Sequence, residues 1–101
     1  MKEAPTVEWK SHGRTATLIC TDAGRMVEVF VEMSGNPQYD ALVWIEHLKE
    51  WTEPQGVELS KDEEDRILKA ILDWEKTQKI RLDIPQFIRK RLDPRGQIQS
   101  E

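Results

Sequence analysis

Hydrophobic and polar residues alternate with a period of two in the first third of the chain, which is the pattern of β-strands with one buried face. The clearest run is 25–33, RMVEVFVEM, in which Val27, Val29 and Val31 share one side. Shorter alternating runs, at 5–10 and 14–20, precede it. Between the last two runs, TDAG supplies the Asp and Gly that a tight hairpin needs. The pattern therefore predicts three consecutive antiparallel strands.

The next apolar segment, 41–48 (ALVWIEHL), fits two patterns. As a helix, its apolar residues would form a stripe with spacings of three and four. As a strand, Val43 and Ile45 would lie opposite Trp44 and Leu48. Because Val, Trp and Ile favour strands, we predict a strand here, and the helix remains open as an alternative.

The stretch 60–78 predicts a helix with a well-defined start. Ser60 and Glu63 have the spacing of a capping box, in which each side chain bonds the other residue's backbone N–H. Further acids in the first turn complement the helix dipole. The alternating segment KIRLDI at 79–84 then predicts a final strand, and 86–92 has the spacing of one or two helical turns.

These elements predict an α+β fold: a four- to five-stranded antiparallel sheet, or β-meander, with one main amphipathic helix packed on one face, then a final strand. We expect residues 1–92 to form a single domain and residues 93–101 to be a disordered C-terminal tail. The expected core consists of Leu18, Val27, Val29, Val31, Ile45, Ile67, Ala70, Ile71, Trp74, Ile80 and Leu82.

Charge is distributed unevenly along the 101 residues. The net charge is −4, made up of −7 over residues 1–78 and +3 over residues 79–101. A basic end on an acidic body can indicate an anionic partner, although a solvated tail has the same pattern. No apolar run is long enough to span a bilayer, and the start has no signal-peptide pattern. The lone Cys20 cannot form an internal disulfide, so we expect a cytoplasmic protein.

The sequence offers little support for catalysis or metal binding. It contains two histidines, His12 and His47, and one cysteine, which are too few and too scattered for a transition-metal site. None of the common nucleophile, phosphate-binding or zinc-protease motifs occurs. We therefore expect a non-enzymatic protein that has no catalytic residue and no cofactor or metal.

A protein-interaction module is the preferred interpretation. If one helix covers the sheet, the other sheet face is left free for a partner protein or for a second copy of the chain. Acids around that face would favour a basic partner. The candidate interaction residues are Met26, Glu28, Phe30, Glu32, Trp44 and Trp51.

The alternative is a domain that binds single-stranded nucleic acid, because such proteins combine sheet aromatics with basic side chains. The candidate residues are Trp9, Trp44, Arg81, Arg89, Lys90, Arg91 and Arg95. Glu28 and Glu32 flank Phe30 on its own side of the strand and would repel a phosphate backbone, which weakens this alternative.

One resemblance supports the binding interpretation. The layout GRTATLIC, turn, RMVEVFVEM, loop and YDALVWI is followed by WTEP and then by LSKDEEDRILKAI and KIRLDI. Over residues 13–84 it resembles a group of small uncharacterised bacterial α+β proteins, some of which are labelled immunity proteins of polymorphic toxin systems. After the tryptophan, this chain has Glu53-Pro54-Gln55-Gly56 where members often have other residues. The resemblance implies a cytoplasmic binder without catalysis. We expect the partner to be a protein, either a toxin or a second copy of the chain.

Overall fold

The computed structural model describes residues 4–92, which form a five-stranded sheet with two helices packed on one of its faces. The strands are β1 (Thr6–Ser11), β2 (Thr15–Asp22), β3 (Arg25–Met33), β4 (Ala41–Val43) and β5 (Leu82–Asp83), and the helices are α1 (Lys61–Thr77) and α2 (Gln86–Leu92). The predicted α+β class is confirmed. The tail predicted at 93–101 lies outside the described residues.

Strands β1 to β4 follow one another in chain order, and each is antiparallel to its neighbour, as a meander requires. The turn between β2 and β3 has only two central residues, Ala23 and Gly24, with φ angles of 52° and 79°. Positive φ at both positions gives the turn the twist of the strands that it joins. The register of the two longest strands is fixed at this turn.

The fifth strand corrects the prediction of a purely antiparallel sheet. It comprises only Leu82 and Asp83 of the predicted 79–84, and it pairs parallel to β4. The chain leaves β4, passes through α1 and returns in the same direction, which is what a helical crossover produces. Just before β5, the backbone N–H of Arg81 donates to the Asp40 carboxylate at 2.7 Å, so side-chain bonds as well as sheet pairing hold this end.

The predicted strand at 41–48 is also only partly present. The strand ends at Val43, and a single 3-10 turn follows over Ile45–His47. An unbroken strand would place Trp44 and Leu48 on the same face, because they are an even number of residues apart. The turn separates them, so Leu48 is buried in the core while Trp44 stays on the opposite face.

Helix α1 confirms the predicted helix and its start. The Ser60 backbone N–H donates to the Glu63 carboxylate at 2.8 Å, and the Glu63 N–H donates to the Ser60 hydroxyl at 3.1 Å. The bond from Ser60 is the main reason that the pKa of Glu63 lies below its ordinary value, and the nearby Arg25 guanidinium lowers it further. The capping box is therefore stronger when Glu63 is ionised.

The core lies between the sheet and the two helices. Of the predicted core, Leu18, Val27, Val29, Val31, Ile67, Ile71 and Leu82 are buried, while Ile45, Trp74 and Ile80 pack on the core edge. Ala70 is half-buried and instead lines a surface cleft beside α1. The core also contains Ala16, Cys20, Ala41, Val43, Leu48, Trp51, Leu68, Leu72, Ile84 and Ile88, which sequence analysis did not name as core.

Candidate protein-interaction surface

The side of the sheet that faces away from both helices is a continuous surface, which we call the outer face. On β2, Ala16, Leu18 and Cys20 point into the core, so the residues between them point outward. The pairing registers then align outward residues of neighbouring strands in rows. Residues of the outer face include Ile19, Met26, Glu28, Phe30, Glu32 and Leu42.

An aromatic cluster of Phe30, Trp44 and His47 lies at one end of the outer face. The Trp44 and His47 rings stack with centroids 6.0 Å apart and an interplanar angle of 20°. The Phe30 ring is tilted against both, at 6.3 Å from Trp44 and 6.2 Å from His47. Such tilted and stacked rings are favourable pairs, and together they form an aromatic platform on the sheet.

The platform is held in place by the backbone and by one carboxylate. The Trp44 N–H donates to the Phe30 carbonyl at 3.0 Å, which continues the pairing of β3 beyond β4. The Trp44 indole N–H donates to the Glu32 carboxylate at 3.0 Å. Because both polar ends of Trp44 are bonded, its ring orientation is fixed before any partner arrives.

Three acidic side chains lie on the same strand or turn as members of the cluster. Glu32 is bonded to Trp44, Glu28 is exposed on the same strand, and Glu46 is exposed in the 3-10 turn beside the cluster. Lys10 lies in the same row of the sheet as Phe30, two strands away. The aromatic platform therefore has a rim of negative potential on the side of the 3-10 turn, which suits a cation placed over the rings.

The edge of β3 beside Met26 is closed by the chain itself. Met26 donates its N–H to the Glu53 carbonyl at 2.9 Å and accepts from the Thr52 N–H at 2.8 Å. The Thr52 hydroxyl accepts from the Glu28 N–H at 3.0 Å. The segment after Trp51 thus pairs with the part of β3 that the short β4 leaves free.

Trp51 corrects the list of predicted interaction residues. It is 2% exposed and belongs to the core, on the opposite side of the sheet from Trp44. The Arg25 guanidinium lies 5.7 Å from its ring centre and is itself paired with Glu63 at 2.7 Å. Trp51 is therefore unable to contact a partner, whereas the structure brings together Met26, Glu28, Phe30, Glu32 and Trp44 on the outer face.

His47 is the member of this surface that sequence analysis missed. Sequence analysis argued against a metal site at His47 and did not include it among the interaction residues. Trp44 and His47 are three residues apart, the spacing that brings side chains together on a helical turn but not on a strand. A helical turn at 41–48 predicts the contact between Trp44 and His47, whereas the strand that we predicted does not.

The residues proposed for nucleic-acid binding lie far apart on the domain, and most of them already contact other side chains of the chain. Trp9 stacks on Trp74 at 5.8 Å on the helix side of the sheet, away from Trp44. Arg89 bonds both carboxylate oxygens of Glu75 at 2.8 and 2.9 Å, and these bonds raise the pKa of Arg89. Arg81 pairs with Asp40 at 3.4 Å, and Arg91 pairs with Asp65 at 2.9 Å.

Lys90 is exposed, and Arg95 lies beyond the described part of the chain. The basic segment thus uses most of its described arginines to attach α2 and β5 to the rest of the domain. Two clefts, of about 450 and 280 Å³, also lie on the helix side. In the larger one, Arg66 bonds Asp22 and Lys69 bonds Asp73, so its basic groups are already paired.

Within residues 4–92, no three His, Cys, Asp or Glu side chains come close enough together to hold a metal ion. In the same residues, no helix has the length and apolar character needed to cross a membrane. A comparison of the chain with protein-family models, with curated proteins and with solved structures finds no significant match. The resemblance to bacterial immunity proteins therefore stays a prediction.

Proposed function

We propose that this protein is a non-enzymatic binding module whose outer face receives a basic segment of a partner protein. The observation that carries the proposal is the aromatic cluster of Phe30, Trp44 and His47, which lies on the sheet face opposite both helices. Tryptophan and other aromatic residues dominate the binding energy of protein interfaces. A pre-ordered ring platform reduces the entropy that a partner's binding would cost.

The chemistry of the rim indicates the sign of the partner's charge. A lysine or arginine side chain laid over Trp44 would gain a cation–π contact, and Glu28 and Glu46 would attract it over longer range. Residues 1–78 carry a charge of −7, which also attracts a basic partner. A bacterial toxin with a basic surface is one partner of this kind, as the resemblance implies, and binding would occur in the cytoplasm.

Nucleic acid is the less well supported partner. Phosphate binding derives most of its affinity from unpaired lysines and arginines. Here Arg81, Arg89 and Arg91 are paired with acids. The rim of the aromatic cluster is acidic, so a strand of nucleic acid laid on Trp44 would meet repulsion.

The test is an NMR titration with three probes. The first is a peptide that alternates lysine with leucine, the second is the same peptide with glutamate in place of lysine, and the third is single-stranded oligothymidine. We expect only the lysine peptide to bind, with shifts concentrated at the Trp44 indole N–H and His47, and with weaker binding at high salt. No binding of the lysine peptide, or stronger binding of the oligonucleotide, would contradict the proposal.

Variants locate the binding surface. His47→Ala removes an exposed ring without disturbing the core, and we expect it to weaken lysine-peptide binding about tenfold, as loss of an aromatic anchor does. Phe87→Ala is the matched control, because Phe87 is 66% exposed on α2 and lies outside the aromatic cluster. Equal binding by wild-type and His47→Ala proteins would show that the peptide binds elsewhere.

A further inference from the structure

Among residues 4–92, strand β1 is an edge of the sheet, since the strand order begins with it and it pairs only with β2. Hydrogen-bonded and non-bonded residue pairs alternate along an antiparallel ladder. The His12 N–H donates to the Thr15 carbonyl at 2.8 Å, so that pair is a bonded one, and Lys10 and Glu8 follow as bonded positions toward β2. The backbone groups of Val7, Trp9 and Ser11 therefore point away from the sheet.

Among residues 4–92, no hydrogen bond reaches these outward groups. A row of unpaired N–H and C=O groups on a strand edge is a template for pairing with another strand. The side chains of β1 determine which strand this edge would accept.

We propose that the occupant is β1 of a second copy of this chain, paired antiparallel about a two-fold axis at Trp9. In this register Trp9 pairs with the partner's Trp9, and Val7 pairs with the partner's Ser11. All of these residues have outward backbone groups, so each pair exchanges two hydrogen bonds. The result is a continuous sheet through both copies, closed by a two-fold axis so that no further copy can add at this edge.

Charge selects this register over its neighbours. Glu8 and Lys10 are both exposed on the outer face, and here each lies opposite its complement in the other copy. Across the seam, Glu8 and Lys10 form pairs that exchange no backbone hydrogen bonds, and in such pairs the side chains are closest. A shift by two residues in either direction would place Glu8 opposite Glu8 or Lys10 opposite Lys10, which is unfavourable.

The opposite face of the seam is aromatic. Trp9 projects to the helix side, where it stacks on Trp74 at 5.8 Å with an interplanar angle of 9°. Pairing at Trp9 would bring the two stacks together across the axis, and cross-strand aromatic pairs are among the favourable ones. A cleft of about 280 Å³, lined also by Lys79 and Ile80, lies beside this stack. This inference concerns a different surface from the aromatic cluster and holds or fails independently of it.

Sedimentation velocity on the full chain tests the seam by charge exchange. We expect the wild-type protein to have twice the 11.8 kDa mass of one chain at micromolar concentration. Glu8→Lys and Lys10→Glu each turn two attractive pairs into two repulsive ones, so each variant should dissociate at least about tenfold more readily. Both side chains are exposed, and circular dichroism checks that both variants fold.

The two variants then rescue each other. An equimolar mixture of Glu8→Lys and Lys10→Glu proteins restores opposite charges at every pair, and so does the double variant with itself. We expect both samples to dimerise like the wild type, whereas the His47→Ala control leaves the dimer unchanged. A monomeric wild-type protein would overturn the proposal, and so would a dimer that is indifferent to both single variants or is not rescued by mixing them.

Discussion

Trp44 and Trp51 are close in the chain, have the same chemistry and lie on opposite sides of the sheet. Trp44 is half-buried on the outer face, with its indole N–H bonded to Glu32. Trp51 is 2% exposed, and after Ser60 and Arg25 its indole N–H is a further group that lowers the pKa of the Glu63 carboxylate. Neither outcome follows from residue type.

Stability measurements separate the two tryptophans. We expect Trp51→Ala to lower the free energy of unfolding by about 3–5 kcal/mol, because it leaves a large cavity in the core. Trp44→Ala removes a half-exposed ring and should cost about 1–2 kcal/mol. Urea denaturation followed by circular dichroism gives both values.

The burial of Trp51 predicts that substitution at position 51 lowers the free energy of unfolding more than substitution at position 44. If Trp51→Ala is too unstable to purify, Trp51→Phe should still cost more than Trp44→Phe. Equal losses for the two positions would contradict the burial of Trp51.

At the scale of single elements, local sequence determined the start of α1 and the hairpin before β3. Ser60 and Glu63 are three residues apart, and so the capping box needs no distant residue to form. The period of two in 25–33 likewise matches the bounds of β3 and the burial of Val27, Val29 and Val31, whereas Met33 at its end is exposed. Local pattern was insufficient at 41–48, where the boundary between strand and turn depends on Leu48 reaching a core that distant residues build.

The capping box predicts a pH dependence with a defined sign. The pKa of Glu63 is lowered in the folded protein, so its stabilising contribution is present above its unfolded value of about 4.5 and is lost as the pH falls through the folded value. We expect Glu63→Gln to have a lower melting temperature than wild type at pH 7, and we expect the difference to shrink as the pH falls.

Thermal melts of both proteins between pH 7 and pH 2.5 check this expectation. Glu64→Gln is the control, because Glu64 lies in the same turn but outside the capping box. A difference between Glu63→Gln and wild type that stayed constant over this range would show that Glu63 is not the titrating group.

At the scale of the whole molecule, one hydrophobic core includes or contacts side chains of every described strand and helix, so we expect them to unfold together. Cys20 lies on β2 at the centre of this core with no exposed surface, and burial raises the pKa of its thiol to about 12. At pH 8 the thiolate fraction is then roughly one part in ten thousand, and reagent cannot reach it. Labelling of Cys20 should therefore require unfolding of the domain.

We expect Cys20 to resist a thiol reagent at pH 8 in the native protein and to react at a rate that rises with urea in proportion to global unfolding. Thr21→Cys in a Cys20→Ala background is the control, because position 21 is exposed on the adjacent residue of the same strand. That control should react at once. Rapid labelling of native Cys20 would show that β2 opens locally, and the single cooperative core would then be wrong.

The sequence by itself determined what neighbouring residues can settle: the alternation of β1 to β3, the start of α1 and the short α2. Tertiary structure alone decided the parallel direction of β5, the burial of Trp51, the meeting of Trp44 with His47, and the pairing of Arg81 and Arg89 with acids. The reason is physical. Alternation and capping act over a few residues, whereas Asp40 and Arg81, 41 positions apart, meet only after α1 has crossed the sheet.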